Sequence, residues 1–110
     1  MSDPRIKQIK IKTGVVKRLA KEKIVYEKEV ETQKSRIEKL KSQGEDDHVL
    51  RKQEEVLQES LMMVPDCQRR LIKAFDELTE ILKNETELKE TEEYIAADTV
   101  LKEAQAQLGR

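Results

Sequence analysis

Apolar residues recur every seven positions through the middle of the chain. Leu50, Leu57, Val64, Leu71 and Leu78 share one heptad position, and Gln53, Ser60, Cys67, Ala74, Ile81 and Leu88 occupy the position three residues further on. An a/d pattern held over about five repeats, with charged flanks, marks an amphipathic helix with a coiled-coil-like seam, and disorder does not produce such a register. Pro65 lies inside it. Its ring removes one backbone hydrogen bond and crowds the carbonyl four residues earlier, but the register continues unchanged on both sides, so it predicts a kink in a continuing helix.

Before that repeat, Ile6, Ile9, Val16, Leu19, Tyr26, Val30, Ile37 and Leu40 follow three- and four-residue steps. Lys23 and Gln33 interrupt this seam, so it is not apolar throughout. Asp3–Pro4 supplies a helix start, with Asp as N-cap and Pro at the first helical position. Gly14, at a cost of about 1 kcal/mol relative to Ala in a helix, marks either a bend or a late start after an extended Ile9–Lys12; the continuous helix is favoured. The clearest break is Ser42–Asp47, where Gly44 can close one helix in the left-handed conformation and Asp46 or Asp47 can cap the next. So short a connection makes the two helices antiparallel neighbours. A weaker break at Asn84–Thr86 precedes a third amphipathic pattern through Leu88, Thr91, Tyr94, Ile95, Leu101, Ala104 and Leu108, with Glu92 and Glu93 near its positive end.

These patterns predict an all-α fold: an elongated antiparallel up-down-up three-helix bundle in one domain spanning residues 1–110. The helices run from about 4 to 42, 47 to 84 and 88 to 108, the second kinked at Pro65. The first two would each be about 55 Å long and the third about 30 Å, so the third can cover only the half containing the N-terminus, leaving a two-helix arm near Gly44 and a rod-like molecule. Composition agrees: 41% of residues are charged and 3% aromatic, which fits long helices with solvated faces, and three glycines and two prolines are too few to supply the turns of a sandwich, a barrel or a doubly wound sheet. Charge is also segregated. Residues 1–28 carry nine cations and three anions, whereas residues 76–103 carry ten anions and three cations; an antiparallel bundle brings the two together.

Little here resembles catalytic chemistry. His48 is the only histidine, beside Asp46 and Asp47 at a helix start, where three consecutive residues do not readily converge on a metal; a capping cluster accounts for them. Cys67 lies on the seam, where a small buried side chain is expected, and a single cysteine fits a reducing compartment. No glycine-rich phosphate loop occurs, no run approaches the length of a membrane span, and the start Met1–Pro4 does not read as a signal peptide. The N-terminal lysines lack interleaved aromatics and belong to a chain of net charge −1, which argues against nucleic acid; the absence of Trp and Phe on that face argues against a membrane surface. The segment Leu57–Leu71 stands out. Met62 lies away from the seam, and methionine is a common element of adaptable binding surfaces.

Three stretches carry a specific likeness: Lys7–Leu19, Tyr26–Glu29 and, above all, Leu57–Leu71 with its Met62-Met63-Val64-Pro65-Asp66-Cys67-Gln68-Arg69-Arg70 run. They resemble the tubulin-specific chaperone A family, also called tubulin-folding cofactor A, while residues 31–50 and 72–110 agree in pattern only. The resemblance implies a cytoplasmic, cytoskeleton-associated chaperone that is not an enzyme and needs no cofactor. It implies capture of β-tubulin folding intermediates, with handover to other tubulin-folding cofactors for α/β heterodimer assembly. The outward residues Glu59, Met62, Asp66, Arg69 and Arg70 are the candidate partner contacts. The other function class is a structural coiled-coil adaptor binding another helical protein or itself, and the sequence leaves self-association open.

Overall fold

The structure, a computed structural model, describes residues 3–110; the Met1–Ser2 start used above in reading the N-terminus lies outside them. Helix α1 spans Pro4–Ser42, α2 spans Asp47–Asn84, and α3 spans Glu92–Leu108, with a single 3₁₀ turn at Thr86–Leu88 between the last two. No described residue is in a β-strand. Helix α1 runs through Gly14 and α2 through Pro65 without interruption, so neither residue ends its helix. Packing divides into two compact units, residues 3–21 with 68–110, and residues 22–67.

In the first unit, α3 joins the antiparallel segments of α1 and α2 in an up-down-up arrangement. Its core is Ile9, Val16 and Leu19 of α1, Leu71, Ala74, Leu78 and Leu82 of α2, Leu88 of the turn, and Ala97, Leu101 and Ala104 of α3. Two expectations shift. The heptad assigns Ile81 to the seam, yet Leu82 is buried and Ile81 only half-buried, because a helix facing two neighbours needs an apolar stripe wider than an a/d line. On α3, Ile95 is 55% exposed while Ala97 is fully buried.

The cause lies in how α3 begins. The α-helix starts at Glu92, four residues after the expected 88, because Thr91 is its N-cap: the Thr91 hydroxyl accepts from the Tyr94 N–H at 3.2 Å and donates to the Leu88 carbonyl at 2.7 Å. Leu88 is thereby left in the turn, packed on the core. Tyr94 then donates its hydroxyl to the Leu82 carbonyl at 3.0 Å, serving one of the carbonyls that the end of α2 leaves unbonded. With Tyr94 fixed inward, the inner face continues through Ala97, Leu101 and Ala104, and Ile95 turns to solvent. At the other end Gly109 closes α3 at φ +70°, the Gln107 amide donates to the Ala20 carbonyl at 3.0 Å, and Arg110 pairs with Asp76 at 2.8 Å.

The segregated charges meet in this unit. Arg5 pairs with Glu85 at 3.1 Å and with Glu87, and Lys12 with Glu77 at 3.3 Å. Arg5 also holds Asp3 at 2.7 Å; those hydrogen bonds keep the Asp3 carboxyl below the usual carboxylate range and favour the charged guanidinium.

The second unit is a helical hairpin. Gly44, at φ +74°, turns the chain, the Glu45 N–H donates back to the Leu40 carbonyl at 3.2 Å, and Asp46 caps α2 by accepting from the Val49 N–H at 3.0 Å. Its buried apolar residues are Val30, Ile37 and Cys67, and both buried polar residues of the described chain, Lys23 and Gln33, are here. Gln33 donates its amide to the Gln53 side-chain oxygen at 2.8 Å and carbonyl at 2.9 Å, while Arg36 donates to the Gln33 oxygen at 3.1 Å. Lys23 reaches Glu27 at 3.4 Å. The polar interruptions of the seam are therefore satisfied, as buried polar groups must be.

Two expectations follow. Gln33→Ala strands the Gln53 partners and lowers stability by about 1–3 kcal/mol, whereas Gln33→Leu with Gln53→Leu is near neutral or stabilising, both read by urea denaturation. Arg5→Met lowers the melting temperature, and the difference from wild type shrinks in about 1 M salt, where exposed ion pairs are screened.

Candidate functional site

Among the described residues, the chemistry-bearing side chains stand apart from one another. His48 is exposed in the first turn of α2, and Asp46 is engaged in capping. Among the described residues no group of three or more His, Cys, Asp or Glu is placed to hold a metal ion. Cys67 is 3% exposed, with its sulfur 3.9 Å from a Glu22 carboxylate oxygen, a long weak contact at a packed position. Among the described residues no helix is long and apolar enough to cross a membrane. What the helices offer is side-chain surface.

The candidate partner residues fall in both units. Glu59, Met62 and Asp66 belong to the hairpin and follow three- and four-residue steps, so they share one face of α2. Glu59 is exposed, Met62 is 70% exposed and Asp66 is half-buried. Arg69 and Arg70, both exposed, belong to the three-helix unit.

The hairpin also shows apolar surface that the heptad pattern did not single out. Ile24, Val25, Val56 and Leu61 are exposed together with Met62, and these are five of the seven large exposed hydrophobics among the described residues. Val25 and Val56 line an open groove of about 350 Å³ with Lys28, Glu29, Gln33 and Arg36 among its other walls. A second trough of about 540 Å³ runs over Ile37 and Leu57 between Lys34, Lys41 and Glu54, and Lys41 lies 3.9 Å from Glu54 across it. The sequence held a signal for Val25 and Val56: an apolar residue off the three- and four-residue seam of a charged helix has no partner in its own hairpin. Open troughs between solvated helices suit contact with a macromolecule better than enclosure of a small molecule, whose sites bury most of the ligand.

Comparison with known proteins bears on the family. The family described as "Tubulin binding cofactor A" matches residues 4–101. "Tubulin-specific chaperone A" of Gallus gallus is 60% identical over 101 residues, covering 92% of this chain and 94% of the relative. Among solved structures, "human tubulin chaperone cofactor a" superposes with a TM-score of 0.80 at 52% identity, covering 93% of this chain and 99% of that one. The tubulin folding cofactor A of Arabidopsis thaliana superposes with a TM-score of 0.84 at 39% identity, covering 94% and 98%. A family match over most of the chain, close identity across nearly the full length of a relative and a shared three-helix fold lead to one conclusion: this chain belongs to the tubulin binding cofactor A family.

Proposed function

We propose that this chain is a non-enzymatic tubulin-folding cofactor of the cytoplasm that captures β-tubulin folding intermediates and holds them until other tubulin-folding cofactors take them over for α/β heterodimer assembly. The observation that carries the reading is the family match across residues 4–101. The exposed apolar side chains of the hairpin support it, since an incompletely packed client offers apolar surface that such residues can cover. In this reading Glu59, Met62 and Asp66 on the hairpin, and Arg69 and Arg70 on the three-helix unit, each contribute contacts. Affinity is moderate, because a holding protein must release its client and release is governed by the dissociation rate.

The test is capture of newly translated β-tubulin on the immobilised chain. Wild type retains β-tubulin monomer in preference to assembled heterodimer. Arg69→Glu with Arg70→Glu, checked for intact helicity by circular dichroism, lowers that retention; unchanged retention removes these two residues from the contact. Met62→Gln also lowers retention while leaving the unfolding free energy within about 0.5 kcal/mol of wild type, as expected of an exposed position. Recovery from cytosol of a helical scaffold protein and no tubulin would overturn the chaperone reading itself.

A further inference from the structure

One face of α1 in the three-helix unit is rich in exposed cations. Gly14 is its centre. The residues three, four and seven positions away on either side are Lys7, Lys10, Ile11, Lys17, Arg18 and Lys21, and all are exposed, Ile11 by 55%. At 3.6 residues per turn these six lie within about 60° of Gly14 around the helix. From Pro4 to Lys21 there is no acidic and no aromatic residue.

Neither backbone nor packing calls for glycine here. Gly14 is not among the positive-φ glycines, and a Cβ added to it would meet nothing within 4 Å. Glycine in an exposed helix interior is nonetheless the least favourable residue after proline. The cations differ in what they contact, and Arg18 on the Gly14 face has an interaction of its own. Arg5 and Lys12, on the opposite side of α1 from Gly14, are the ones engaged with Glu85, Glu87 and Glu77. Lys7, Lys10, Lys17 and Lys21 have no ion-pair partner among the described residues.

We infer that this face is a docking surface for an acidic helix of the tubulin client, crossing α1 at Gly14. The inference rests on the proposed function for the identity of the partner. A missing side chain lets a second backbone approach closely at the crossing point. The lysines above and below Gly14 then reach carboxylates flanking the incoming helix, and Ile11 supplies the apolar contact. Charge complementarity selects the occupant: four lysines without an ion-pair partner, with Glu92 and Glu93 bordering only Lys10, accept an acidic segment and repel a basic one. A nucleic acid or an anionic bilayer would also meet the lysines, but neither has a use for a bare notch.

The experiment measures tubulin retention and thermal unfolding of the full chain for wild type, Gly14→Ala, Gly14→Gln, and Lys10→Glu with Lys17→Glu. Gly14→Gln melts at a higher temperature than wild type yet retains tubulin at least about tenfold less well, with Gly14→Ala between them, and the double lysine variant loses retention. A purely structural role for Gly14 cannot raise stability and weaken capture together. Equal retention by wild type and Gly14→Gln overturns this inference and leaves the proposed function standing, whereas a wild-type chain that retains no tubulin overturns both. A fluorescent RNA, or vesicles of phosphatidylserine and phosphatidylcholine, bound by wild type and released by the lysine variant while tubulin retention is unchanged, overturns it in favour of a polyanion surface.

Discussion

Everything in this protein depends on the side-by-side burial of two long amphipathic helices. A helix satisfies its own backbone hydrogen bonds, but its apolar stripe gains stability only against another surface, and most helical stability in proteins comes from that packing. The chain meets this constraint in two ways. In the three-helix unit the stripe of α1 meets both α2 and α3, and the whole continuous buried core belongs to that unit. In the hairpin one helix has only one neighbour, and there the seam carries Lys23 and Gln33 among Val30, Ile37 and Cys67. The Gln33–Gln53 bridge fixes which residues of the hairpin face one another, where apolar contacts alone would tolerate a slip. A buried polar pair contributes specificity of this kind better than it contributes stability.

How far this could be read from sequence depended on period and on capping. The seven-residue repeat located α2 and carried it past Pro65, and Gly44 with Asp46 located the turn, because each of those signals is local. The inner face of α3 was less legible. Its pattern contains Tyr94, Ile95, Ala97 and Leu101, and composition alone prefers the larger Ile95 to Ala97 as core. The choice is made by Thr91, whose hydroxyl fixes the first turn, and by Tyr94, whose hydroxyl reaches a carbonyl of another helix. That second bond is tertiary and leaves no trace in periodicity. Leu82 was missed for a related reason: a stripe facing two helices is wider than the line that defines a heptad.

For the surface the situation is reversed. Met62 stood out because it lies off the seam, and the structure leaves it 70% exposed. Val25 and Val56 could have been found by the same rule. Their shared groove could not, since it exists only once α1 and α2 are paired in a definite register. The family relation adds what neither periodicity nor exposure can supply, a set of relatives whose names point to tubulin. The physical description adds what a family name leaves out: solvated helices with scattered exposed apolar residues and an unbalanced distribution of charge.

The hydrogen-bonded pairs of this chain are also spread over very different distances along the sequence. Gln33 and Gln53 are 20 residues apart, Lys12 and Glu77 are 65, Arg5 and Glu85 are 80, and Ala20 and Gln107 are 87. Closing a longer loop costs more chain entropy, and non-local contacts form later for that reason. Loop-closure cost therefore favours pairing beside the Gly44 turn over pairing of the N-terminal turns of α1 with residues near the C-terminus. Ile9, Val16 and Leu19 emerge from synthesis well before Ala97, Leu101 and Ala104, which complete the core around them, so this chain exposes apolar surface of its own until its last helix is made.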